Sequence, residues 1–390
     1  MDIRALLATT IELGGSDLHL KVDAPPRVRV DGDLVPLNLP VLTDQDTESV
    51  LAEITLRTPR KLEHFMTTGD LDTAYTATGV GRFRVNGFRQ KGSISFAFRY
   101  VPDVVPTLDG LGLPEGVRRL ANEHRGLILV TGATGSGKTT TLAAMLDHVN
   151  HDRQQHIVTL EDPIEIVHRD HGCIVQQREV GLDVDSFNEG MRRVLRQDPD
   201  VILVGELRDE ETAQTALRAG ESGHLVLSTM HTIDAHETVG RMIELFPPNK
   251  QLLVRQILAS VLRGVISQRL LPQVSGGRVA AVEVMVNTAR VAEMIREPDK
   301  TDSIPKAIEE GRVHQMQSYM QHLVELVLDG VVDPEVAANA SSNRHDFELA
   351  LSRAQRAKAA EEAALEAGTT PGSLEEIRPV LANGLRLGAQ

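Results

Sequence analysis

The sequence predicts an α/β chain with a small N-terminal α+β domain, a P-loop core of alternating strands and helices, and a helical C-terminal part. Three observations predict it. Residues 132–139 read Gly-Ala-Thr-Gly-Ser-Gly-Lys-Thr, the spacing G-x4-G-K-[ST]. Apolar strand runs at 127–130, 157–160, 201–204 and 225–227 alternate with helical patterns, which argues a mainly parallel sheet covered by helices. Before residue 100 the pattern instead alternates apolar and polar residues, as half-buried strands do.

Ile3, Leu6, Leu7, Thr10 and Ile11 stand at helical spacing, and Gly14-Gly15 ends that helix. Asp17-Leu18-His19-Leu20 alternates like a strand, Pro25-Pro26 breaks it, and Arg27-Val28-Arg29-Val30 resumes it before the hairpin signal Asp31-Gly32. Residues 43–66 read as helix, N-capped by Thr43 and interrupted at Pro59. Strands follow at Arg82-Phe83-Arg84-Val85 and at 94–99, with Arg82, Arg84 and Arg99 opposite the apolar members. Residues 1–100 make the first domain, and prolines and glycines mark 101–116 as a linker.

The second domain spans 117–355. Leu127–Val130 is a buried strand leading into the glycine-rich loop, and a helix from about Lys138 to Val149 follows. Ile157–Leu160 is a strand, Ser186–Arg196 a helix, Val201–Val204 a strand, 210–219 a helix and Leu225–Leu227 a strand. A helix over 234–245 opens on a capping-box pattern, Asp234 to Glu237. Residues 249–270 read as one long helical stretch, then a hairpin turns at Gly276-Gly277 with 279–286 as its second strand. Helices continue to about 355; 354–368 is Ala- and Glu-rich with little apolar periodicity, 369–390 looks irregular, and 356–390 reads as a solvated or disordered tail.

Composition narrows the function. The chain has 390 residues and a net charge of -14, which argues against a large basic surface for nucleic acid. Trp is absent and aromatics make up 3%, so the cores should rest on Leu, Ile, Val and Met. Cys173 is the single cysteine, so neither an intrachain disulfide nor a cysteine zinc cluster can form, which fits a reducing cytosol. No apolar run approaches the roughly 20 residues that span a bilayer, so membrane contact is expected only through a partner.

The chemistry centres on the loop. Glycines let backbone N–H groups curl around a phosphate, Lys138 should reach the β- and γ-phosphates, and the Thr139 hydroxyl should hold Mg²⁺. Gly132, Ala133, Thr134, Gly135, Ser136, Gly137, Lys138, Thr139 and Thr140 are therefore the expected ATP contacts. P-loop proteins also need an acid at a neighbouring strand end. The strand 201–204 runs into Gly205-Glu206, which makes Glu206 the candidate general base. Glu161 and Asp162 close another strand and are candidates to hold Mg²⁺ through water. His224 and His231 flank the strand 225–227 and are candidate γ-phosphate sensors, with buried structural histidines as the alternative. Arg82, Arg84 and Arg99 are either solvated or supply charge to a nucleotide in trans.

These motifs resemble the PilT family of type IV pilus retraction ATPases, within the secretion ATPase superfamily. The likeness covers roughly 1–350. It rests on Ser16-Asp17-Leu18-His19-Leu20, on Arg82-Phe83-Arg84-Val85-Asn86, and on the loop at 132–139. It rests also on Ile157 to Glu165, which is similar to the family's Asp box, on Asp198 to Glu206, its atypical Walker B, and on Gly223-His224 through His231-Thr232, its His box. Ser267-Gln268-Arg269-Leu270 and Gly276 to Ala281 fit as well. The resemblance implies a PAS-like N-terminal domain and a RecA-like core, assembled as a homo-hexamer that binds ATP between the domains. It implies nucleotide contacts from Arg84 and Arg99, with Arg82 behind them, and strengthens catalytic roles for Glu161, Glu206, His224 and His231. The lack of a four-cysteine zinc motif favours retraction over extension.

One departure bears on output. The retraction signature helix, Ala-Ile-Arg-Asn-Leu-Ile-Arg-Glu in the family, stands here as Arg290-Val291-Ala292-Glu293-Met294-Ile295-Arg296-Glu297. The expectation is a cytoplasmic hexameric motor, peripheral at the inner face of the cytoplasmic membrane. It would act on an inner-membrane pilus platform protein, with no direct nucleic-acid partner. An accessory or assembly motor, a DNA-translocating motor and a non-hydrolysing scaffold are the competing readings. A GTPase is disfavoured because Asn249-Lys250-Gln251-Leu252 lacks the Asp of N-K-x-D.

Overall fold

The structure, a computed structural model, describes residues 1–102 and 104–366, with side chains through residue 360. In chain order it holds α1 (Ile3–Glu12), β1 (Asp17–Lys21), β2 (Arg27–Val30), β3 (Asp33–Pro36), α2 (Asp44–Ile54), α3 (Pro59–Thr68), β4 (Asp70–Ala77), β5 (Gly81–Gln90) and β6 (Ser93–Val101). Then come α4 (Glu115–Ala121), β7 (Gly126–Thr131), α5 (Lys138–Asp152), β8 (His156–Glu161), β9 (Ile174–Glu179), α6 (Phe187–Val194), β10 (Val201–Val204), α7 (Glu210–Glu221), β11 (Leu225–Met230) and α8 (Ala235–Glu244). The remainder is α9 (Pro248–Val261), β12 (Leu262–Pro272), β13 (Arg278–Val286), α10 (Ala289–Arg296), α11 (Ile304–Glu309), α12 (Tyr319–Leu328), α13 (Pro334–Ala340) and α14 (Arg344–Glu366).

Two compact units form. The first takes Met1–Val105 together with Val158–Asp170 and Val175–Arg193; the second takes Pro106–Ile157, His171–Ile174 and the chain from Val194 on. Beside the 1–100 block expected from the sequence, the first unit takes in these two later segments. Its sheet runs β3-β2-β1-β6-β5-β4 and is antiparallel in its β1–β6, β5–β6 and β4–β5 pairs. Asp31 and Gly32, both at positive φ, make the expected turn of the β2–β3 hairpin. Thr43 caps α2 through a full capping box with Asp46, and Pro59 opens α3. The core here corrects the expectation of an aliphatic interior: Phe65, Phe83, Phe96 and Phe98 are fully buried in it beside Leu7 and Leu18. Four phenylalanines from few aromatics are enough, because each one covers so much area. Two strands and a short helix carry too little pattern to read: β4 alternates small polar residues and β9 reads Ile-Val-Gln-Gln-Arg-Glu, while α4 is only seven residues long.

In the second unit five strands lie in the order β13-β12-β7-β11-β10. β7 pairs parallel with both β11 and β12, β10 pairs parallel with β11, and β13 returns antiparallel to β12. β7 and β11 are buried at every position, as expected of strands covered on both faces. Helices α4, α5, α7 and α8 pack on this sheet.

The stretch 262–270 is a correction. The predicted helix ends at Val261, and Leu262–Pro272 is a strand. Gly264 shows why. A Cβ there would stand 2.5 Å from the Met285 carbonyl oxygen and 2.6 Å from the Leu120 side chain. Close backbone approach, the β-branched pair Val265-Ile266 and burial on both faces all favour a strand, and a helical reading has no account of the glycine. The tail also changes: α14 runs to Glu366, past the expected end near 355, because Ala- and Glu-rich sequence has high helix propensity. The expected disorder of 367–390 lies outside the described residues.

Near the C-terminus, α12, α13 and α14 enclose a second core with Leu271 and Val279, around Leu323 and Phe347. His322 sits at its edge, where the Val282 N–H donates to its Nδ1 at 2.9 Å. Burial pushes this imidazole down to about 4. Its folded pKa lies below the unfolded one, so the stability it lends is complete above about 6.5 and is lost as pH falls toward 4. Glu283, which burial pushes up to about 7, titrates with the opposite sign, so the two must be separated by difference.

Two outcomes follow. The stability of wild type minus that of His322→Gln, from urea melts, should fall by roughly 3 kcal/mol between pH 7 and pH 4; parallel curves would show that His322 charges freely in the folded chain. Gly264→Val should destabilise by about 1–3 kcal/mol or more through overpacking. A neutral result would return 262–270 to an exposed helix.

Candidate active site

The second unit assembles the predicted phosphate centre at the C-terminal edge of its parallel strands. β7 ends at Thr131, and the chain passes through 132–137 into α5, whose N-cap is Gly137. Gly132 and Gly137 have φ of 142° and 89°, and a Cβ on Gly132 would lie 2.3 Å from the Gln268 carbonyl oxygen and 2.5 Å from Ser136 Oγ. Only glycine fits both the backbone and the space. No side chain caps α5, and no acidic residue occupies its first turn, so its N–H groups and positive dipole end suit an anion. Lys138 Nζ folds back on the loop and donates to the carbonyls of Gly132, at 2.8 Å, and Ala133, at 3.0 Å. Ser136 Oγ is buried with no partner among the described residues, an acceptor and donor that a phosphate oxygen would satisfy. Ala133, Thr134, Gly135 and Thr139 are exposed around it, with Thr140 half-buried. The hydroxyl of Thr139 is the hard-oxygen ligand this loop offers to Mg²⁺.

Glu206 and His231 meet at the ends of neighbouring strands. Gly205-Glu206 follows β10, His231 follows β11, and Glu206 Oε1 lies 3.2 Å from His231 Nε2. Arg208 holds the other carboxylate oxygen at 2.6 Å. The turn beneath is tied to β11: Thr229 Oγ1 donates to the Gly205 carbonyl at 2.7 Å and Ser228 Oγ to that of Val204 at 2.7 Å. The Leu207 N–H donates to the Thr229 carbonyl at 3.1 Å. Glu206 is therefore a fixed group, as an orienting base must be.

His224 is not brought to this centre. It precedes β11, at the opposite end of a six-residue strand from His231, and about 20 Å of strand separates the two. Its Nδ1 lies 3.0 Å from Ser222 Oγ and from the Ala219 carbonyl, at the C-terminal end of α7. The expected catalytic histidine pair is thus divided within the chain. The flanking positions looked equivalent in sequence because parity along a strand says nothing about which end faces the loop.

Sequence reasoning missed four positioning residues. Gln268 on β12 is fully buried, and its Nε2 donates to the Ser136 carbonyl at 2.7 Å, so it ties the phosphate loop to the sheet. Thr131 Oγ1 donates to Ser267 Oγ at 2.9 Å one step below. Arg208 and Thr229 secure Glu206. The available signal was a polar pair, Ser267-Gln268, inside an apolar run, and Ser228-Thr229 likewise.

The remaining candidates belong to the first unit. Arg84 and Arg99 are exposed on their strands, as the alternation implies. Arg99 Nε donates to Asp17 Oδ1 at 2.8 Å, and Arg84 lies 3.9 Å from Glu165. Burial pushes the Asp17 carboxyl up, but the Ser16 hydroxyl and Arg99 outweigh it and hold the group below the usual carboxylate range. Arg82 pairs instead with the buried Glu179, which also accepts the Ile164 N–H at 3.2 Å. That places Arg82 in the scaffold of the Asp box. Glu161 accepts from Thr159 Oγ1 at 2.6 Å and Gln177 Nε2 at 3.0 Å, and burial pushes its carboxyl up. Asp162 is exposed beside it.

Comparison with known proteins agrees with this geometry. Residues 112–362 match the family described as type II/IV secretion system protein. The chain is 44% identical to the type IV pilus retraction ATPase PilT of Pseudomonas aeruginosa over 89% of its own length and all of that relative. It is 37% identical to the type IV pilus ATPase PilU of the same organism, over 90% of this chain and 91% of that one. A crystal structure of the pilus retraction motor PilT with bound ADP superposes with a TM-score of 0.81 at 43% identity, covering 89% of this chain and 99% of that one. An N-terminal domain ahead of a RecA-like core is thus the shared fold. The chain belongs to the type II/IV secretion system protein family and, within it, to the PilT-type ATPases.

Proposed function

We propose that this chain is an ATP-hydrolysing motor that powers retraction of a type IV pilus. The observation that carries the reading is the phosphate loop with Glu206 and His231 at one sheet edge, in a chain 44% identical to PilT along that relative's whole length. Lys138 leaves the Gly132 and Ala133 carbonyls for the β- and γ-phosphates, while the first N–H groups of α5 hold the phosphate oxygens. Glu206, steadied by Arg208 and His231, orients the attacking water. Mg²⁺, held by Thr139, would neutralise charge on the phosphates. In this reading Glu161, Asp162, Arg84 and Arg99 of the first unit take part in the same cycle. The working form is a homo-hexamer in the cytoplasm, docked on an inner-membrane platform protein. No described helix is long and apolar enough to cross a membrane, so the reading places membrane contact in that partner.

A second reading, an accessory motor beside another ATPase, is favoured by the similarity to PilU and by the altered helix at 290–297, which is α10 with Glu297 after it.

On purified protein, Glu206→Gln should lower ATP turnover by about 10²-fold or more while nucleotide still binds, and Lys138→Ala should abolish both. Wild-type turnover in either variant would overturn the site. In cells, deletion of the gene should leave excess pili that do not retract. Bald cells would indicate assembly instead, and unchanged pili with weakened retraction would select the accessory role. Gln268→Leu frees the Ser136 carbonyl from its anchor and leaves it buried and unsatisfied, so affinity for a fluorescent ATP analogue should fall about tenfold. Unchanged affinity would mean the loop holds its shape alone.

A further inference from the structure

One cluster of metal-ligating side chains in the second unit has no part in the phosphate centre. Asp147 and His151 stand four residues apart on α5 and so share a face. His171 comes from the loop 171–173, just before β9. One ligand atom from each of the three lies within 4.8 Å of the others. The His151 and His171 rings stack with centroids 3.9 Å apart and planes at 27°. His151 Nδ1 is 2.9 Å from the Asp147 carbonyl oxygen and 3.4 Å from its carboxylate.

The loop that presents His171 is fastened to the helix. Asn150, fully buried on α5, accepts the His171 N–H at 3.2 Å and the Cys173 N–H at 3.4 Å on its side-chain oxygen, and the Gly172 N–H at 2.8 Å on its carbonyl. A Cβ on Gly172 would lie 2.3 Å from the Arg153 carbonyl oxygen, so the backbone there runs directly against the helix end. His171 therefore faces Asp147 and His151 from a fixed backbone, while the side chains of both histidines are exposed.

A tetrahedral ion with bonds of about 2.0–2.1 Å keeps its ligand atoms about 3.3 Å apart. Closing from within 4.8 Å needs only side-chain rotation. Two imidazoles and one carboxylate suit a borderline transition metal, whereas Mg²⁺ and Ca²⁺ prefer oxygen alone. His151 also lies in the last turn of α5, where the helix dipole favours positive charge.

We propose that Asp147, His151 and His171 form a binding site for a dication of the zinc, cobalt or nickel class, which clamps the loop 171–173 to the last turn of α5. Three protein ligands leave a fourth position for water.

The test uses the untagged full chain, free of nucleotide, titrated with Co²⁺ and followed by visible d–d absorption, then displaced with Zn²⁺. The expected result is one Co²⁺ per chain, with at least tenfold weaker binding in His171→Ala and in Asp147→Asn, and no change in Lys138→Ala. Zn²⁺ should raise the melting temperature of wild type and leave that of His171→Ala unmoved. Absence of Co²⁺ uptake by wild type, or equal uptake by His171→Ala, would overturn the proposal. His171 is exposed, so its variant should fold, which circular dichroism checks directly.

Discussion

The second unit depends on the parallel seat of β7 between β11 and β12. That pairing sets the end of β7 level with the ends of its neighbours: Thr131 stands opposite Met230 on one side and Ser267 on the other. The phosphate loop, His231 and Gln268 are each the next residue in their chains. Their convergence is therefore a property of register. A slip of one residue would turn every side chain of β7 over and move the loop by about 3.3 Å.

Rigidity at this edge comes from small polar contacts rather than from bulk. Gln268 ties the loop to β12, Thr229 and Ser228 tie the Glu206 turn to β11, and Thr131 meets Ser267 beneath. Each is a buried or part-buried bond, worth about 1 kcal/mol net but costly to leave unmade. Lys138, by contrast, donates to two carbonyls of its own loop. Gln268, Thr229, Ser228 and Thr131 bond to or between strands, whereas these two bonds of Lys138 stay within the loop. This division is what a phosphate site needs if the ligand is to displace one set of bonds without disturbing the other.

Much of this was legible in the sequence, and the failures have physical reasons. The glycine-rich loop, Glu206 and His231 carry local patterns, and the structure gathers all three. Strands with three or more apolar residues close together were visible; β9, with two, was not. Residues 262–270 were misread because apolar residues flank the α9 boundary without a break, and only Gly264, pressed against Leu120 and Met285, marks the change of period. Gln268 escaped because its task is to satisfy a carbonyl 132 residues away, a long-range relation that spacing cannot carry. His224 was paired with His231 because both flank one strand, but the strand sets them at its opposite ends.

The helix α5 joins these threads, because its two ends meet opposite electrical demands. At its start, uncapped N–H groups and the absence of any first-turn acid leave a positive end for phosphate. At its finish, Asp147 and Asp152 lie beside His151 and His148, and carbonyls without helical partners add to the negative end. Asn150 and the Arg153 carbonyl fix the loop 171–173 against that finish. A cation there would oppose no group that the phosphate end uses, since about 13 Å of helix separates Lys138 from Asp147 at 1.5 Å per residue. At that distance ordinary salt screens most of the direct repulsion. Any influence of one end on the other must then run through the packing of the helix itself, and Leu142, Met145, Leu146 and Val149, all buried, are the residues that hold it in place.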